Sequence, residues 1–114
     1  MRAARVKLKM TDETAAFVCS FHPELKRKIK AALQVILNDA QAGKVLKDEL
    51  EGLRSFRVGK FRIVYRIGAK GQTIEIAAIG PRKSIYEETL RLLRRGILKN
   101  RDTYQLIDRK VETH

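Results

Sequence analysis

The stretch Leu53-Arg54-Ser55-Phe56-Arg57-Val58-Gly59-Lys60-Phe61-Arg62-Ile63-Val64-Tyr65-Arg66-Ile67 decides the fold. Its alternation of apolar and polar residues predicts two β-strands, and Gly59-Lys60 predicts the tight turn between them. Glycine at the first central position suits a type II′ turn. A two-residue loop sets Val58 against Phe61, Arg57 against Arg62, Phe56 against Ile63 and Ser55 against Val64. The period of two then puts Phe56, Val58, Phe61, Ile63, Tyr65 and Ile67 on one face. Ser55, Arg57, Arg62, Val64 and Arg66 fall on the other. Like charges directly opposite in a ladder are destabilising, by about 0.2–1 kcal/mol. An anion held between Arg57 and Arg62 would turn that repulsion into a grip, and a planar guanidinium suits phosphate. The alternative is two long side chains extended into water, with their stems lying over the sheet.

Composition points the same way. The chain has 114 residues and is 44% hydrophobic, which predicts one small domain. Twenty-five Lys and Arg against thirteen Asp and Glu leave a formal net charge of +12. Such a charge predicts a polyanionic partner: nucleic acid first, an acidic protein second, an anionic membrane third. No apolar run is long enough to span a bilayer, and the basic N-terminus lacks the apolar core of a signal peptide. The single cysteine, Cys19, excludes an internal disulfide and reads as a small core residue. His22 and His114 are too isolated for metal-ligand spacing. A cytoplasmic protein without metal or cofactor is expected.

Outward from the hairpin, residues 5–10 alternate and predict a half-buried first strand with Val6, Leu8 and Met10 inward. Thr11 is a good N-cap. Asp12 and Glu13 after it open a short helix over residues 12–21, with Ala16, Phe17 and Phe21 toward the core. Pro23 starts a long helix to about residue 40, whose Leu25, Ile29, Leu33, Ile36 and Leu37 share a face. Lys26, Arg27, Lys28 and Lys30 read as its solvated side. Residues 44–50 connect to a bend at Gly52. After the hairpin, residues 68–71 form a loop and 72–79 a further strand. The expected register pairs Ile67 with Gln72 and Tyr65 with Ile74, with Glu75 diagonal to Arg66. Gly80-Pro81 closes the strand, and Ser84 with Glu87 fits a capping box for a helix over 85–95. Leu90 and Leu93 of that helix point to the core. Residues 97–114 read as an amphipathic, helical extension beyond a domain of residues 1–96. The prediction is an α+β fold: a small, mainly antiparallel four-stranded sheet, two N-terminal helices on one face, and C-terminal helix or helices after the last strand. The second face is left open and basic.

Two segments resemble the RelE/ParE superfamily of bacterial toxins. Leu46 to Tyr65 follows its "Leu … Gly-Leu … aromatic-Arg-Val-Gly-x-aromatic-Arg-x-x-Tyr" hairpin. Ile79-Gly-Pro-Arg-Lys-Ser-Ile-Tyr86 follows its closing "Gly-His/x-Arg-x-x-x-Tyr" stretch. The resemblance spans about residues 5–95. It implies the fold just described and, for the RelE-like branch, a ribosome-dependent endoribonuclease. In that chemistry the ribose 2′-hydroxyl attacks the adjacent phosphate without a metal, leaving a 2′,3′-cyclic phosphate. Carried over, Arg57, Arg62, Arg82 and Tyr86 become the catalytic candidates; the basic residues Arg54, Lys60, Arg66 and Lys83 around them are the RNA-binding candidates. Guanidiniums would stabilise the extra charge of a pentacovalent phosphorane, and Tyr86 would stack on a base or assist proton transfer. Ser55 departs from the pattern, standing where some active members carry a basic residue, and Pro81 stands where others have His. No general base is evident. The implied partners are a cognate antitoxin, the ribosome and its mRNA, with operator DNA reached only through the antitoxin complex and no membrane. Two further readings stay open: a ParE-like, non-nuclease toxin acting on DNA gyrase, and a nucleic-acid-binding co-repressor module.

Overall fold

The computed structural model describes residues 6–68 and 71–95, together with the backbone of 104–106. The chain runs β1 (Lys7–Thr11), α1 (Asp12–Cys19), α2 (Pro23–Asn38), β2 (Lys44–Val45), β3 (Arg54–Val58), β4 (Phe61–Ile67), β5 (Thr73–Pro81), α3 (Ile85–Arg94) and β6 (Tyr104–Leu106). Short 3₁₀ turns at Ala40–Ala42 and Asp48–Leu50 flank β2. The sheet order is β2-β3-β4-β5-β1-β6. Only β1 and β5 run parallel among these neighbours. The α+β architecture expected from the sequence is thus present. The four main strands carry two short additions: β2 beside β3 and β6 beside β1. Strand β6 replaces the helix expected at residues 104–106; the rest of that extension lies outside the described residues.

The central hairpin forms as its sequence dictates. All four expected pairs across the turn are present, Arg57 opposite Arg62 among them. Gly59 has φ of +60° and Lys60 does not share the positive sign, which is the type II′ arrangement. Phe56, Val58, Phe61, Ile63, Tyr65 and Ile67 all enter one hydrophobic cluster with Leu8, Met10, Ile74, Ile76 and Ile79. Helix α2 covers it with Ile29, Ala32, Leu33 and Ile36, a face spaced at three and four residues. Pro23 occupies the first turn of α2, and the His22 imidazole accepts the Glu24 N–H at 3.1 Å. Thr11 caps α1 by accepting the Thr14 N–H at 3.1 Å. Phe17, Phe21 and Phe61 meet edge to face, with centroids 4.8 and 5.4 Å apart.

Helix α1 is rotated from the expected orientation. Ala15 and Val18 are its buried residues, while Ala16 and Cys19 are exposed and Phe17 remains 46% exposed. An eight-residue helix has few apolar positions, so two adjacent faces competed. The cap at Thr11 and the partly buried Phe21 set the one that turns Cys19 outward.

Strand β5 departs from the expected register. Ile67 pairs with Ile74, Arg66 with Glu75 and Tyr65 with Ile76, two residues along from the prediction. The longer closure is visible where the Gly68 N–H reaches the Thr73 carbonyl at 2.8 Å. A bulge between Val64 and Tyr65 then moves Val64 to Ala78 and Arg62 to Gly80. The even slip keeps each face intact before the bulge, and the extra residue lets both Ala77 and Ala78 join the second face.

That second face is not open throughout. Val64, Ala77 and Ala78 are buried there under Ile85, Leu46 and Leu53, with Leu50, Tyr86, Leu92 and Leu93 packed around them. Helix α3 therefore lies on the side opposite α1 and α2. Its fully buried residues are Ile85 and Thr89, the latter donating to the Ile85 carbonyl at 2.8 Å. Leu90 is only half-buried, and Leu93 packs in this second cluster rather than the main core. The capping box at Ser84 does not form; its side chain makes no cap bond, and the Glu88 N–H bonds the Ser84 carbonyl instead.

Candidate functional site

Helix α3 covers the middle of the second face and stops short of the hairpin end. Tyr86, in its first turn, lies at that border. Its hydroxyl donates to Ser55 Oγ on β3 at 3.1 Å. Arg62 on β4 donates to the same oxygen through Nη1 at 3.0 Å. Ser55 sits opposite Val64, so Arg62 reaches it along the diagonal, within range of a long side chain. Ser55 is 2% exposed, whereas Arg62 and Tyr86 are half-buried.

The charge pair across the hairpin relaxes by turning apart. Arg57 is exposed and donates from Nε to the Gly59 carbonyl at 3.3 Å, toward the turn. Arg62 turns the other way, to Ser55. Arg82 leaves β5 beside the same turn, its N–H donating to the Lys60 carbonyl at 2.8 Å. The side chains of Lys60, Arg82 and Lys83 are exposed there. The ion pairs among the described residues are Arg66–Glu75, Glu88–Arg91 and Arg94–Glu49, so Arg57, Arg62 and Arg82 have no carboxylate partner there. A polyanion approaching this end meets cations that no carboxylate among the described residues pairs with.

Two residues chosen from the sequence belong elsewhere. Arg54 lies one position before Ser55 and so on the α2 face. Its Nη1 donates to the carbonyls of Gly43 at 3.0 Å and Gln41 at 3.4 Å, bracing the loop before β2. Arg66 lies on the second face but at its far end, held by Glu75 at 2.8 Å. Glu75 is 4% exposed and also neighbours Lys9 of β1. Counting strand positions from Tyr65 assigns Arg54 to the wrong side of the sheet for the cluster. Ser55 was legible only as a member of the basic face; its role as the shared hydrogen-bond acceptor depended on where α3 packs.

On the other side of the sheet Tyr65 is fully buried. Its hydroxyl donates to the Ala40 carbonyl at 2.7 Å and accepts the Gly43 N–H at 2.8 Å. Burial raises its pKa above the ordinary 10.0. A Cβ on Gly43 would fall 2.5 Å from that hydroxyl, so glycine is required at the contact. A cleft of about 680 Å³ runs between α1 and α3, lined by Phe17, Ile79, Pro81, Ile85 and Leu92 among others; none of the eight candidate residues lines it. Among the described residues no three His, Cys, Asp or Glu side chains gather as a metal site, and no helix is long and apolar enough to cross a membrane.

The fold is that of small toxins of toxin–antitoxin systems. The chain superposes on the toxin–antitoxin complex RelBE2 from Mycobacterium tuberculosis with a TM-score of 0.60 at 23% identity, covering 69% of this chain and 100% of that one. It matches a YoeB/ParE toxin from Agrobacterium tumefaciens with a TM-score of 0.59 at 24% identity, over 67% and 98% of the two chains. A double mutant of the E. coli toxin RelE in the free state gives 0.64 at 13% identity, over 83% and 99%. No curated protein matches the sequence. The profile described as "ParE toxin of type II toxin-antitoxin system, parDE" matches residues 7–86, and the chain belongs to that toxin family.

Proposed function

We propose that this toxin is a ribosome-dependent mRNA endoribonuclease, acting in the cytoplasm and held inactive by a cognate antitoxin. The single observation that carries the reading is the cluster Arg62–Ser55–Tyr86, flanked by Arg57 and Arg82 and facing no carboxylate of the protein among the described residues. A 2′-hydroxyl attacking its neighbouring phosphate builds charge on the phosphoryl oxygens. Arg62, already oriented by Ser55, has further N–H donors for those oxygens, and stabilisation there acts on the transition state more than on bound RNA. Arg57 and Arg82 supply charge on either side of the turn. Tyr86 offers an aromatic face to an unstacked base and a hydroxyl beside the reacting groups. The 2′-hydroxyl is part of the substrate, so the step consumes no water and leaves a 2′,3′-cyclic phosphate on the upstream fragment and a 5′-hydroxyl on the downstream one. Several structures of similar fold are toxin–antitoxin complexes, which supports an antitoxin as partner here. A net charge of +12 favours an acidic covering segment.

The match to a ParE profile favours a second reading, a non-nuclease toxin acting on DNA gyrase. Inducing the protein in growing cells while mapping mRNA 5′ ends and chromosomal breaks separates the two. New, codon-phased mRNA ends that vanish in Arg62→Ala support the nuclease. DNA breaks with intact mRNA overturn it in favour of the gyrase reading.

A further inference from the structure

We infer that Ser55 is a positioning residue, whose hydroxyl fixes Arg62 and Tyr86 relative to one another; the inference rests on the nuclease reading. A serine hydroxyl offers two lone pairs and one hydrogen. Here the Arg62 N–H and the Tyr86 O–H each take one lone pair. One buried oxygen thereby ties a strand side chain to a helix side chain across the border of α3. The phenol oxygen, held 3.1 Å from Ser55 Oγ, keeps a lone pair for another partner. Arg62 keeps the donors that Ser55 does not use. The pair thus presents donors and an acceptor side by side, the complement of a phosphoryl oxygen next to a ribose hydroxyl.

The position suits this duty and no direct contact. Ser55 is 2% exposed, so substrate meets Arg62 and Tyr86 rather than Ser55 itself. The small side chain opposite Val64 leaves room for the guanidinium on the diagonal and the ring from α3. A longer residue would fill the space in which they meet.

The test uses the purified full-length chain, ribosomes programmed with a defined mRNA, and the variants Ser55→Ala, Ser55→Thr, Tyr86→Phe and Ser55→Ala/Tyr86→Phe. Every cation remains in all of them. Loss of orientation predicts that Ser55→Ala lowers kcat by about 10–100-fold while KM changes by less than about twofold. Ser55→Thr, which keeps the hydroxyl, restores most of kcat. In the Tyr86→Phe background, which has already lost one of the two bonds, Ser55→Ala costs at least about threefold less than in the wild type. An unchanged kcat in Ser55→Ala overturns the inference while leaving the nuclease reading intact. So does a fall of equal size in both backgrounds, or one tracked by a loss of folded protein in thermal melts. A wild-type chain that leaves the mRNA whole overturns both.

Discussion

Arg62 and Arg66 stand four residues apart on one strand and one face, yet they have opposite fates. Arg66 is met by Glu75 directly across the ladder, in a pair whose carboxylate is almost fully buried. Arg62 is met by Gly80 on one side and by another arginine on the other. Its hydrogen bond goes to a neutral hydroxyl. The first arrangement satisfies a charge; the second orients one that has no carboxylate partner among the described residues. In one strand the same side chain is paired with a carboxylate at one end and, on the proposed reading, is left for an anion at the other. The bulge between Val64 and Tyr65 separates the two ends and sets glycine opposite Arg62.

Substitutions along this face sharpen the contrast. The largest effect is expected for Arg62→Ala, which should lower mRNA cleavage on ribosomes by about 10²–10³-fold, the cost of removing one oriented oxyanion donor. Its melting temperature should stay near that of the wild type, since a half-buried charge with no ionic partner among the described residues is lost. Arg66→Ala should invert that outcome. It strands a buried Glu75 and should cost about 1–3 kcal/mol in denaturant unfolding, below the range for wholly buried pairs because the Arg66 side chain is 30% exposed. The activity of its folded fraction should be preserved.

Tyr65→Phe tests the opposite face. Loss of the hydroxyl that joins Ala40 to Gly43 should cost about 1–3 kcal/mol, with cleavage unaffected after correction for folding. The pH dependence has a definite sign. Burial raises the Tyr65 pKa above 10.0, so the unfolded chain releases this proton first. The tyrosine contribution is complete below pH 10 and is lost as pH climbs from there toward the folded-state value. Wild-type stability should fall more steeply than that of Tyr65→Phe above pH 10.

The smallest effect is the most diagnostic in sign. Arg57→Glu replaces cross-strand repulsion at the hairpin end with attraction and should stabilise the protein by about 0.2–1 kcal/mol. It should also lower cleavage, because the new carboxylate competes for Arg62. A variant that is more stable and less active marks a charge pair kept for a ligand rather than for the fold.

The sequence made the hairpin legible because a two-residue turn leaves no freedom in register: one glycine at Gly59 fixes every pair from Val58–Phe61 to Ser55–Val64. The long helix was legible through its spacing and its opening proline. The partner of β4 was not. A loop between Ile67 and Thr73 can close at several lengths, and alternating isoleucines at 74 and 76 satisfy any even slip. The bulge carries no signal of its own in Ala77-Ala78. Helix α3 shows a strong apolar stripe, but a stripe does not say which face of a sheet it will cover. That choice decided the site: it closed the middle of the second face and brought Tyr86 to Ser55. Arg54 shows the reverse error, since a basic residue beside a basic motif is drawn into it by proximity in sequence while strand alternation sends it to the other side.

The most direct test compares Arg62→Ala with Arg66→Ala in one reaction, with purified ribosomes, a defined mRNA and sequencing of the 3′ ends released. Fragments ending in 2′,3′-cyclic phosphate should appear with the wild type and with folded Arg66→Ala, and be nearly absent with Arg62→Ala. Equal loss in both variants, or equal cleavage by both, would contradict the separation of a satisfied end from a waiting one.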